Sequence, residues 1–126
     1  MRPLIIEETG YTPKVQFLPE GQLSITGKSL PEDTAKFYEP LLEWINECNV
    51  EKISITVRLD YMNSSSAHQI SKFLMLAKDN PSIKSCSVEW YYETDDEDSL
   101  DFGKELEYLT DFTFKFYQYA EVEAWL

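Results

Sequence analysis

The residues of this chain best suited to chemistry form a hydroxyl run, Asn63-Ser64-Ser65-Ser66, followed closely by the chain's single histidine, His68. Serines at the start of a helix can cap it, accept a phosphoryl group, or hold a phosphate against the positive end of the helix dipole. Ser66-Ala67-His68-Gln69 has capping-box spacing, which predicts Ser66 as the N-cap of the helix that follows. Capping does not need three serines, however. Ser64 and Ser65 would then lie at the mouth of the dipole, where a phosphate meets unpaired N–H groups. A plain polar turn that caps a helix is the competing reading. A nucleophilic-serine enzyme fits less well: there is no G-x-S-x-G elbow, and His68 falls in the first turn of the helix, where it reads as a surface or cap residue.

The second chemical group is the acidic stretch Glu93-Thr94-Asp95-Asp96-Glu97-Asp98. Asp95, Asp96 and Asp98 offer hard oxygen ligands for Mg²⁺ or Ca²⁺, which frames an alternative function, a small metal- or phosphate-dependent enzyme. The stretch lacks the central Gly and distant Glu of an EF-hand loop. Its simpler reading is a helix start, with Asp98 or Ser99 as cap and the acids complementing the dipole.

Both groups need elements to position them. Val15 and Phe17 alternate with polar neighbours, Pro19-Glu20-Gly21 turns the chain, and Leu23 and Ile25 resume the alternation, so residues 12–27 predict a hairpin. The residues before it read as a loosely held lead-in. Ser29-Leu30-Pro31-Glu32 has capping-box spacing and opens a helix carrying Ala35, Tyr38, Leu41, Leu42 and Ile45, which Pro40 should kink or divide. Ile53, Ile55, Val57 and Leu59 alternate with polar residues in the cleanest strand of the chain. The serine run follows it and leads into a helix with Ala67, Ile70, Phe73, Leu74 and Ala77 on its apolar face, ended by Asn80-Pro81. A strand over 83–92, a helix over about 100–109 and a strand over 112–119 complete the order ββαβαβαβ, with a short helix expected toward Leu126. Strand–helix–strand units imply parallel strands with right-handed crossovers. The expected fold is a single α/β domain (residues 1–126) with a mixed, mostly parallel five-stranded sheet, an N-terminal hairpin and three main helices. In such sheets ligands gather outside the carboxyl ends of the strands, where residues 60–66 and 93–98 both lie.

With 126 residues, 43% of them hydrophobic and 14% aromatic, the chain can bury a core without staples. Eleven basic against 23 acidic residues leave a net charge of −12, which repels phosphate backbones and anionic lipid surfaces, so neither nucleic acid nor membrane is an expected partner. No apolar run is long enough to span a bilayer, and Glu7-Glu8 arrives too early for a signal peptide, so a cytoplasmic location is expected. Cys48 and Cys86 read as buried thiols. Alternation along Trp90-Tyr91-Tyr92 prevents all three rings from facing one way. Some aromatic area is therefore left near the rim, where it suits a protein interface.

Taken in order, Gly27-Lys28-Ser29-Leu30-Pro31-Glu32, Phe37-Tyr38-Glu39-Pro40-Leu41-Leu42-Glu43-Trp44, Tyr61-Met62-Asn63-Ser64-Ser65-Ser66, Trp90-Tyr91-Tyr92, Asp95-Asp96-Glu97-Asp98 and Gly103 resemble the SiaC family of bacterial regulatory phosphoproteins. The resemblance implies a non-enzymatic switch protein with no cofactor, metal or catalytic residue, similar in logic to anti-sigma-factor antagonists. In that family a Ser/Thr protein kinase modifies the N-[ST]-S-S turn, a PPM-type phosphatase restores it, and the unmodified form binds and activates a diguanylate cyclase. Carried over by position, the phosphoacceptor is Ser64, with Ser65 as alternative and Asn63, Ser65 and Ser66 forming its surroundings. The implied partner contacts are Tyr61, Met62, Tyr91, Tyr92, Asp95 and Asp96. Relatives carry Thr where Ser64 stands, and a Pro-Phe pair expected near the last strand is replaced by Thr113-Phe114.

Overall fold

A computed structural model describes residues 1–120. Six strands and three helices run in the order β1 (Leu4–Ile6), β2 (Lys14–Phe17), β3 (Gln22–Ser29), α1 (Thr34–Asn46), β4 (Lys52–Met62), α2 (Ser64–Asp79), β5 (Ser85–Glu93), α3 (Glu97–Thr110) and β6 (Thr113–Tyr119). All six strands form one sheet in the order β1-β2-β3-β4-β5-β6. The β1/β2 and β2/β3 pairs are antiparallel, and β3 to β6 are parallel. Spatial order equals chain order, so each right-handed crossover deposits its helix on the same face of the sheet. α1 accordingly packs against α2, and α2 against α3.

The core lies between that face and the helices. Val15, Phe17, Leu23, Ile25, Ile53, Ile55, Val57, Leu59, Val88 and Trp90 point inward and are buried against Tyr38, Leu41, Ile45, Ile70, Phe73, Leu74 and Leu106. Both cysteines are buried free thiols, and burial pushes the Cys86 thiol up to about 12. Asn80 caps α2 and its side-chain N–H₂ donates to the carbonyls of Ile45 (2.9 Å) and Cys48 (2.8 Å), locking the ends of α1 and α2 together.

The fold class is as expected from the sequence, with corrections. The sheet has six strands, because the supposed lead-in pairs as β1: Leu4 lies opposite Phe17, and the Trp44 indole N–H donates to the Arg2 carbonyl (2.8 Å). Three residues are too few for alternation to announce a strand. α1 starts at Thr34, with Asp33 as the cap accepting the Lys36 N–H (3.1 Å), while Ser29 ends β3. Pro40 does not divide α1. The carbonyl that loses its helical donor belongs to exposed Lys36, where water can serve it. Ala35 is exposed rather than on the buried face. The helix expected toward Leu126 lies outside the described residues.

Two backbone features position the rim. Gly27 lies opposite Leu59 but Lys28 lies opposite Tyr61, so Asp60 is an extra residue in β4, a β-bulge. Unbroken alternation would point Tyr61 inward with Leu59; after the bulge it is 55% exposed. At Gly103, α3 approaches the sheet so closely that a Cβ would stand 2.8 Å from the Phe116 ring and 2.9 Å from the Trp90 ring. Replacing a helical glycine by alanine ordinarily gains about 1 kcal/mol. Gly103→Ala should instead cost about 1–3 kcal/mol by overpacking, read as a lower urea midpoint; a raised midpoint would show that α3 can move away freely.

Candidate functional site

β4 runs into α2 through one residue, Asn63, whose backbone N–H donates to the Ser29 carbonyl at the end of β3 (3.3 Å). Asn63 is the N-cap: its side-chain oxygen accepts the Ser66 N–H (2.9 Å). The expectation that Ser66 caps the helix is therefore corrected. Ser64, Ser65 and Ser66 are the first three helical residues, and each hydroxyl has a different fate.

Ser66 is wholly buried, and its hydroxyl donates to the Ser29 carbonyl (3.0 Å). The Ser29 hydroxyl donates to the Ser66 hydroxyl (2.8 Å). Each serine has one proton to give, so the 2.7 Å contact between Ser29 and Tyr38 must have the Tyr38 hydroxyl as donor. The chain Tyr38→Ser29→Ser66→Ser29 carbonyl ties α1, β3 and α2 together without a free proton. Burial raises the Tyr38 pKa, with the neighbouring Ser29 and Ser66 hydroxyls acting against it. Ser65 is exposed but engaged, donating to the Asn63 side-chain oxygen (3.1 Å) and so accepting from the Thr34 hydroxyl of α1 (2.8 Å). Ser64 is exposed, and its hydroxyl has no hydrogen-bond partner among the described residues.

Ser64 also lines a cleft of about 520 Å³ between the start of α2, the end of β4 and the start of α3. The cleft has apolar walls at Leu59, Met62, Ala67 and Phe102, and carboxylates at Asp96 and Asp98. Asp96 caps α3 by accepting the Ser99 N–H (3.0 Å), where Asp98 or Ser99 was expected to cap. Its carboxylate is thus committed to the helix. Among the described residues no three His, Cys, Asp or Glu side chains are grouped to hold a metal ion. The first turn of α3 carries Glu97 and Asp98, whereas the first turn of α2 carries no acid.

Of the residues expected to meet a partner, Tyr61, Met62 and Asp96 line this cleft with Asn63 and Ser64. Tyr92 lies nearby on the helix side of β5, packed against the core, and Asp95 is exposed in the loop. Tyr91 is on the opposite face of the sheet, stacked on Tyr117 at 4.9 Å. There the Arg58 guanidinium sits 4.2 Å from the Tyr119 ring centre, and the Tyr119 hydroxyl donates to Asp60 (2.8 Å) at the bulge. Partial burial, then the Asp60 bond and charge, push the Tyr119 hydroxyl up to about 12 against the pull of Arg58. The sequence reading missed this brace, because Tyr119 must cross β5 to reach Asp60. It also missed Thr34 as the partner of Ser65 and Phe102 as a cleft wall.

A family model described as SiaC family regulatory phosphoprotein matches residues 6–119. An uncharacterized protein of Pseudomonas aeruginosa (strain UCBPP-PA14) is 26% identical over 110 residues, which is 83% of this chain and 87% of that protein. The crystal structure of apo-SiaC from Pseudomonas aeruginosa is 25% identical with a TM-score of 0.78, covering 93% of this chain and 99% of that one. SiaC in the crystal structure of diguanylate cyclase SiaD in complex with its activator SiaC, from the same organism, shares the fold at 24% identity and a TM-score of 0.78, over 92% of this chain and 99% of the other.

The contrast among the serines is measurable as stability. Ser66→Ala leaves one of the two protons of the buried Ser29–Tyr38 pair without an acceptor and should cost about 1–3 kcal/mol. Ser64→Ala should stay within about 0.5 kcal/mol of the parent. Urea denaturation of both variants checks this, and equal costs would contradict the division of roles.

Proposed function

The chain belongs to the SiaC family of regulatory phosphoproteins, and we propose that it is a non-catalytic switch protein whose partner binding is set by reversible phosphorylation of Ser64. A Ser/Thr kinase adds the phosphate, a PPM-type phosphatase removes it, and the unmodified form engages and activates a diguanylate cyclase. Support for the cyclase is that SiaC of Pseudomonas aeruginosa, which shares this fold, is the activator of diguanylate cyclase SiaD.

The observation that carries the choice of residue is the fate of the three hydroxyls. Ser66 is enclosed and spends its proton in the core, and Ser65 is bonded on both sides. Only the Ser64 hydroxyl of the run is both exposed and unengaged among the described residues, so a kinase meets it without first breaking a bond. A phosphate there brings a charge of about −1.5 to −2. It enters a cleft lined by apolar side chains, the polar residues Asn63 and Ser99, and the carboxylates of Asp96 and Asp98, with no cation among the lining residues. A partner seated in that cleft would have to strip water from a dianion, a cost of several kcal/mol when the charge stays unpaired. That is the physical route by which modification turns binding off.

Peptide mass spectrometry of the protein from its native cells should place a single phosphate on Ser64, and a phosphate confined to Ser65 would move the switch by one residue. Ser64→Ala should resist the cognate kinase and still bind the cyclase. Ser64→Asp should weaken that binding by at least about tenfold, or 1.4 kcal/mol; unchanged affinity in calorimetry would count against the switch.

A further inference from the structure

The cleft beside Ser64 has more to say about what binds there. Its apolar lining is Leu59, Met62, Ala67 and Phe102, beside polar Asn63, Ser64 and Ser99, while its α3 side carries Asp96 and Asp98. No lysine or arginine of the described residues lines it. Asp98 and its neighbour Asp95 are exposed and form no ion pair among the described residues. The two strands that run into the cleft are already paired on both sides, β4 with β3 and β5, and β5 with β4 and β6. A partner cannot add a strand here and must bind through side chains.

We propose that the cleft is a socket for one large apolar side chain of a protein partner, flanked by lysine or arginine residues that meet Asp98 and Asp95 on the rim. This rests on the switch reading above and names the chemistry of the partner's contact. A volume of about 520 Å³ accommodates a leucine, methionine or phenylalanine side chain with its neighbours. The apolar anchor supplies binding energy from a desolvated centre, as interface hot spots do. The flanking cations answer the unpaired rim carboxylates and are steered in by a protein carrying a net charge of −12. The two halves of the contact respond differently to a phosphate on Ser64. The cations alone would welcome it, but the anchor would be driven against a hydrated dianion, and the anchor holds the centre.

The test is photo-crosslinking in native cells, with a benzophenone amino acid placed at Tyr61 on the cleft or, as a control, at Tyr117 on the opposite face of the sheet. Both side chains are exposed, at 55% and 37%, so neither replacement disturbs the core. The expected result is capture at Tyr61, and not at Tyr117, of a diguanylate cyclase segment with a large apolar residue beside Lys or Arg. Ala67→Phe, which fills the floor, should abolish that capture while leaving the thermal midpoint close to the parent's. Added salt should slow association of the purified pair. A captured segment that is acidic or lacks a large apolar residue overturns the inference and leaves the switch standing, as does capture at Tyr117 alone. An apolar–basic segment from a protein that is not a cyclase keeps the socket and removes the cyclase from the proposed function. Capture at neither position, from cells in which Ser64 is unmodified, overturns both.

Discussion

Parallel strands that are neighbours in both sequence and space leave no freedom about where their connections go. A right-handed crossover between adjacent strands places its helix on one face, and three such crossovers in succession, β3 to β6, place all three helices on the same face. Everything at the rim follows from that constraint. The starts of α2 and α3 must emerge side by side at the carboxyl ends of β4 and β5, so two positive helix ends and the residues that cap them share one edge of the molecule. The cleft between them is the gap left by two helices seated on neighbouring strands. Its depth is limited by how closely α3 can approach, which is why a glycine stands at position 103 against the Trp90 and Phe116 rings.

Within that frame the sequence Asp60 to Ser66 handles two opposing demands. The turn is held at both ends, yet it presents one hydroxyl unengaged among the described residues, that of Ser64, to solvent. Rigidity comes from both ends. Asp60 is held at the bulge by Tyr119, and Ser66 is held by the buried hydroxyl chain through Ser29 to Tyr38. The bulge turns Tyr61 outward, and the Asn63 cap lets α2 begin without a loop. Presentation is then a matter of phase. One position before the cap-bonded pair, Ser64 projects away from both the core and α1, while Ser65 projects toward Thr34 and Ser66 toward Ser29. Adjacent serines receive unlike environments because successive helical residues are rotated by about 100°.

What could be read from the chain beforehand was whatever depends on local period. Ile53 to Leu59 alternate without exception, and the buried stripe of α2 follows helical spacing, so both elements and the α/β class were legible. The rim location of the serine and acidic runs followed from that class. Contacts between distant residues were not legible. Ser66 and Asn63 are both acceptable caps by type, and the choice was made by Ser29, 37 residues away, which takes the Ser66 hydroxyl into the core. The Asp60 bulge is invisible in β4 alone, because a bulge exists only relative to the register of β3. Tyr91 was expected among the partner contacts with Tyr61 and Met62, and it lies on the face of the sheet away from the cleft. Its strand was identified correctly, and alternation already required it to oppose Trp90; what was missing was which of the two faced the helices. Burial answers that, since Trp90 is the ring whose N–H finds partners inside, at the carbonyl (3.1 Å) and hydroxyl (3.3 Å) of Ser99.

The same geometry bears on how a phosphate would act on the free protein. At the start of α2, which has no acid in its first turn, a phosphate gains about 0.3–1 kcal/mol from the dipole at an exposed site. Asp96 and Asp98 line the same cleft, and a like charge in water-accessible surroundings costs about 1 kcal/mol at close range. These terms are opposite in sign and offset each other in part in the free fold. A switch of useful depth then has to draw its energy from the complex, where water is excluded and the unpaired charge becomes expensive. This separates the two tasks of the turn. On the proposed switch, the buried hydroxyls would keep the scaffold the same in both states, and Ser64 alone would carry the difference.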